Sequence, residues 1–135
     1  MDQNYWFAFL YLGRAYEQKG QFDAAIAMFQ KVKETAGPEL LGALGHTFAV
    51  SGEKSEAHRI IKELMRQSTE RYVAPYFIAT IYAGLVEKEQ AFRWLENGYE
   101  ERSFYLRWLK VDPAIDSLRS DPRFADLLQR VGLTV

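Results

Sequence analysis

The stretch LGRAYEQKGQFDAAIAMF, residues 12–29, decides how the whole chain reads. Leu12 and Tyr16 stand four apart, so one helix presents them on one face. Gly13 lies beside them, Gly20 breaks the helix, and Ala25 and Phe29 again stand four apart on a second helix. The same order returns twice. Leu44-Gly45 precedes Phe48, and Ile78-Ala79 precedes Tyr82; Ala57 and Ile61, then Ala91 and Leu95, follow at the same distances. The starts lie 32 and 34 residues apart. An apolar residue, a tiny one and an aromatic describe the first helix of a hairpin. The tiny residue admits the second helix of the same repeat, whose alanine allows the approach from the other side. A single hairpin of this kind leaves apolar surface exposed, so the units must stack.

The punctuation agrees. Gly37-Pro38 ends one helix and opens the next, Ser51-Gly52 closes the third, and Pro75 falls in the first turn of the fifth. The pattern predicts helices near 3–18, 22–35, 39–51, 54–67, 73–85 and 88–101, with no segment of strand period competing.

These motifs resemble the 34-residue tetratricopeptide repeat (TPR). Repeat one (6–39) matches at Leu12, Gly13, Tyr16, Gly20, Phe22, Ala25 and Phe29; repeat two (38–71) keeps Leu44, Gly45, Phe48, Gly52 and Ala57. Repeat three (72–105) departs at Ala79, Val86 and Gly98. The resemblance implies an all-α fold: a right-handed superhelix of antiparallel helical hairpins, a TPR-like α-solenoid of about three repeats plus C-terminal capping helices, all one domain over 1–135.

The tail over 106–135 leaves the repeat. Asp112-Pro113 and Asp121-Pro122 each place a capping carboxylate before a proline, a helix-start signal, and Gly132 stops the last helix. Phe124, Leu127, Leu128 and Val131 share one side of it, which suits a cap. The run from Val111 to Phe124 also resembles the ending of TPR regions in larger bacterial signalling proteins, where such regions follow kinase, cyclase or DNA-binding domains. That likeness implies an alternative role as a regulatory or dimerisation segment of such a protein.

Composition narrows the chemistry. Net charge is −1 with acids and bases interspersed, which argues against a nucleic-acid partner. There is no cysteine, so no disulfide, thiolate metal site or Cys nucleophile. The apolar run 5–12 is too short for a membrane span and lacks the flanks of a signal peptide. A cytoplasmic chain without membrane partner is expected. His46 and His58 lack metal-ligand spacing and read as groove-lining and surface residues, and the serines near helix ends read as caps. No catalytic residue, metal or cofactor is expected.

The TPR resemblance implies that the first helix of each repeat lines a concave groove for a protein or peptide partner. Its groove positions fall on Phe7, Leu10, Tyr11 and Arg14, on Glu39, Gly42, Ala43 and His46, and on Val73, Tyr76, Phe77 and Thr80. Leu10, Ala43 and Phe77 replace the polar residues of the TPR subset that clamps a terminal carboxylate, so that clamp is absent. A groove of aromatic, weakly polar character follows. The segment 5–12, which holds Tyr5, Trp6 and Phe9, is apolar on every side of its helix, which predicts a homodimer through the N-terminal helix.

Overall fold

The computed structural model describes residues 5–31 and 37–133, with side chains from residue 7 onward. Among the described residues the chain is all-helical, without a strand. Seven α-helices run in order: α1 (Tyr5–Gln18), α2 (Phe22–Lys31), α3 (Pro38–Val50), α4 (Lys54–Gln67), α5 (Pro75–Gly84), α6 (Lys88–Glu100) and α7 (Pro122–Val131). Two 3-10 segments, Phe104–Trp108 and Pro113–Leu118, separate α6 from α7. None of the described helices is long and apolar enough to cross a membrane.

Neighbours in sequence pair in space: α1 with α2, α3 with α4, α5 with α6. The pairs join chiefly through α3, which packs along α5 and also touches α1 and α2. The 3-10 segment Pro113–Leu118 lies against α5, and α7 lies against α6. Arg123 reaches Glu89 at 2.8 Å and Arg130 reaches Glu96, each across 34 residues. The two ion pairs are two turns apart on both helices, so α6 and α7 run parallel.

The first helix of each pair ends alike. The amide of Gln21 bonds the carbonyl of Tyr16 at 2.9 Å, Glu53 that of Phe48 at 2.9 Å, and Glu87 that of Tyr82 at 3.0 Å. Each bond closes over a residue in the left-handed region: Gly20 (φ 77°), Gly52 (φ 93°) and Val86 (φ 59°). The recurring aromatic thus supplies the carbonyl that stops its own helix. Val86 is the strained member, because a β-branched residue there costs about 1–2 kcal/mol. Its side chain is 61% exposed and contributes little burial. Val86→Gly is expected to stabilise the protein by about 0.5–1 kcal/mol after the extra freedom of an unfolded glycine is subtracted. Thermal unfolding followed by circular dichroism should show a melting temperature about 2–4 °C higher; an unchanged or lower value would contradict the strain.

The alanines expected at close approaches (Ala25, Ala57, Ala91) are fully buried, as are Phe29 and Leu95, with Ile61 nearly so. The tiny residues divide their work. A Cβ on Gly13 would sit 2.4 Å from the Phe29 ring, so it does admit α2. A Cβ on Gly45 would meet Ile81 of α5 at 2.5 Å before Ile60 of α4 at 3.1 Å, so that glycine serves the next pair first. Gly42 and Gly84 bring α3 and α5 together at two further points, against Phe77 and against Ala49 and His46.

The segment after α6 forms 3-10 turns, capped by Ser103 and Asp112. Asp121 caps α7 as read, its side chain accepting from the Arg123 amide at 2.9 Å. Ser51 and Ser68 cap the C-terminal ends of α3 and α4, donating their hydroxyls to carbonyls of the last turn. The expected helix end at 32–35 lies outside the described residues.

Candidate functional site

One cavity of about 340 Å³ opens where α1, α3 and α5 meet the tail. On α1, Tyr11, Arg14 and Gln18 stand three and four apart and so share the face turned to it. Leu10, one position earlier, is rotated by about 100° onto the face shared with Gly13, which packs on α2 and the core. Leu10 is 1% exposed, a correction to its expected place in the groove. Phe7 is 44% exposed and lies outside the cavity lining, and Val73 is buried elsewhere.

From α3 come Glu39, Gly42, Ala43 and His46, and from α5 come Tyr76, Phe77 and Thr80. The α5 residues are nearly buried, because the tail covers them. Tyr105 stacks on Tyr76 at 6.3 Å and meets Phe77 edge-on at 4.7 Å. Tyr76 donates its hydroxyl to Asp112 at 2.5 Å, and Thr80 donates to the Phe77 carbonyl within its own helix. Burial, then the Asp112 charge, push the Tyr76 hydroxyl well above its ordinary pKa, so it stays a donor.

The cavity floor is polar. His46, 6% exposed, places Nδ1 2.7 Å from Glu17 Oε1 and Nε2 3.0 Å from the Ala114 carbonyl. Thr47 donates to the same Glu17 oxygen at 2.7 Å. Burial raises the Glu17 pKa, but bonds and charge from His46, with Thr47 and Arg14, outweigh it and hold the carboxyl below its usual range. At the rim, Arg14 stands 4.0 Å from Glu39. The tail itself supplies Trp108, Val111, Asp112, Pro113 and Ala114 to the wall.

Nine of the twelve expected groove residues therefore converge here: Tyr11 and Arg14, then Glu39, Gly42, Ala43 and His46, then Tyr76, Phe77 and Thr80. The exposed large apolar side chains of the lining are Tyr11 and, from the tail, Trp108 and Val111, at 65%, 48% and 66% exposed. Sequence reasoning missed every tail contribution, as well as Glu17. These contacts span long stretches of chain: Ser117 donates to the Ala83 carbonyl across 34 residues and His46 meets Ala114 across 68.

His58 lies away from this site, half-exposed, with Nε2 2.9 Å from Glu87 and its ring edge-on to Tyr82. Among the described residues no group of three or more His, Asp or Glu side chains stands close enough to hold a metal ion. Of the residues expected at a self-association surface, Tyr5 and Trp6 have side chains outside the described residues. Phe9 is partly buried, with the Lys31 ammonium 5.8 Å from its ring centre. No protein-family model matches the chain, and neither a curated protein nor a solved structure matches it.

Proposed function

We propose that the chain is a non-catalytic interaction module: a TPR-like superhelical array, closed by its tail, that binds a peptide segment of a partner protein in the cavity between α1, α3 and α5. The observation that carries this reading is an open cavity of about 340 Å³ with Tyr11 and Trp108 exposed at its mouth. Rings that are half or more exposed, beside a polar floor, suit apolar side chains of an extended peptide, with Arg14 and Glu39 as rim contacts. The identical helix endings and the contacts that recur across 34 residues support the array. Interspersed charges favour a protein over a nucleic acid.

Self-association through α1 is a second reading, favoured by Leu12, which is 44% exposed on that helix. In a larger signalling protein it would serve regulation or dimerisation.

Peptides selected from a displayed library on the wild-type protein test the principal reading. Their dissociation constants, measured by fluorescence anisotropy, are expected to rise about tenfold or more for Tyr11→Ala and Trp108→Ala, and less for Arg14→Glu. All three side chains are exposed enough for the fold to survive their loss. Failure to enrich any peptide, or equal affinity in all three variants, would remove the cavity as the binding site.

A further inference from the structure

Both ring nitrogens of His46 face acceptors. Nδ1 is 2.7 Å from a Glu17 carboxylate oxygen and Nε2 is 3.0 Å from the Ala114 carbonyl oxygen. A neutral imidazole carries one N–H and satisfies only one of them; the imidazolium satisfies both. The Glu17 oxygen also accepts the Thr47 hydroxyl at 2.7 Å, a role natural to a carboxylate rather than to its protonated form. The geometry therefore describes a charged ring bridging three elements: α1 through Glu17, α3 through its own backbone, and the tail through Ala114.

We propose that His46 is a proton-dependent latch: its doubly protonated ring fastens the tail at Ala114 over the cavity, and loss of one proton frees that edge and widens the cavity. The direction follows from what each neutral tautomer would leave behind. A proton kept on Nε2 would point the Nδ1 lone pair at an anion. A proton kept on Nδ1 preserves the bond to Glu17 and sets the Nε2 lone pair against the Ala114 carbonyl. The second costs less, so the tail contact is the one given up.

The groups around the ring set its surroundings. Glu17 and Arg14 face it from α1, Glu39 shares its helix and lines the same cavity, and Tyr76 comes from α5. The tail brings Asp112, bonded to Tyr76, and Arg119, which donates to the Asp112 carbonyl at 2.9 Å. Apart from the bond to His46 of α3, the tail is hydrogen-bonded to α5 by the Tyr76–Asp112 bond and by the bond from Ser117 to the Ala83 carbonyl at 2.7 Å. Deprotonation thus frees the edge over α3 while the segment stays anchored on α5. Imidazole is the side chain suited to such a change between pH 5 and 8. The consequence for a bound peptide rests on the cavity being the peptide site proposed above, whereas the tail's release is measurable without a peptide.

Hydrogen exchange by mass spectrometry on the full chain reads the release directly. Protection of residues 109–118 is taken relative to α4, which cancels the intrinsic pH dependence of exchange. In the wild type this ratio is expected to fall about tenfold from pH 6 to pH 8; in His46→Gln it should be low and the same at both. A wild-type ratio independent of pH would overturn the latch. Because His46→Gln also removes a buried ring from the fold, nitrogen NMR of His58→Gln, which leaves one histidine, supplies the second arm. Two protonated ring nitrogens at pH 6 and one at pH 8 support the proposal, and a singly protonated ring at pH 6 refutes it. A tail that follows pH in a protein that selects no peptide would uphold the latch and count against the binding site.

Discussion

A chain ending at Ser103 is expected to lose cooperative folding altogether. Seven apolar side chains of the tail are buried: Leu106, Leu109, Ile115, Leu118, Phe124, Leu127 and Leu128. Burying side chains of this size contributes about 1.5–3 kcal/mol each, and a domain's net stability is only about 5–15 kcal/mol. The truncation also releases the tail's conformational entropy, so the sum is no measure of the loss. What decides the outcome is the surface left behind. Tyr76 and Phe77 on α5, only 4% and 9% exposed, pack against the Tyr105 ring, and the guanidinium of Arg123 lies 4.4 Å from the Phe92 ring centre on α6. Stripped of that cover, α5 and α6 present a continuous apolar face, which drives aggregation. Light scattering should find oligomers, and thermal melts should broaden with dye-binding apolar surface exposed. A monomeric truncation with a sharp melt would mean that the tail is an appendage rather than part of the core.

The sequence was most legible where structure is decided locally. The helix limits follow from a 3.6-residue apolar period and from glycine and proline at the turns, and six of the expected helices are found within a few residues of their expected limits wherever these are described. Val86 shows the edge of that method: no glycine announces the turn, yet the backbone adopts the same left-handed shape as at Gly20 and Gly52. The site was legible in part. Tyr11 and Arg14 could be placed by helical spacing, but Leu10, one residue away, belongs to a different face, and spacing alone leaves such rotations open by about 100° per residue. Least legible was the tail. An Asp-Pro pair tells where a helix starts and nothing about what it packs on. The partners of His46 lie 29 and 68 residues away, beyond any local pattern.

The contact between Gly13 and Phe29 offers the sharpest test of why the repeated pattern pairs a tiny residue with a large one. Phe29→Ala is expected to cost about 3–5 kcal/mol, because the ring is fully buried and its loss leaves a cavity between α1 and α2. Gly13→Ala alone should cost about 1–3 kcal/mol, since its Cβ would fall 2.4–2.9 Å from three atoms of that ring. A buried ring in a close-packed interior has nowhere to turn. Combined, the two changes should not add. Once the ring is gone, the new methyl enters vacated space and gains about 1 kcal/mol of helix propensity over glycine. A double-mutant cycle by urea denaturation is therefore expected to show a coupling of about 2–3 kcal/mol. Simple additivity would mean that the helices adjust around the added methyl and that glycine is not needed for the approach. At Gly45 the first obstacle is the Cδ1 methyl of Ile81, the far end of a rotatable chain, so alanine there should be better tolerated. The demand for a tiny residue is thus set by the stiffness of what lies opposite it.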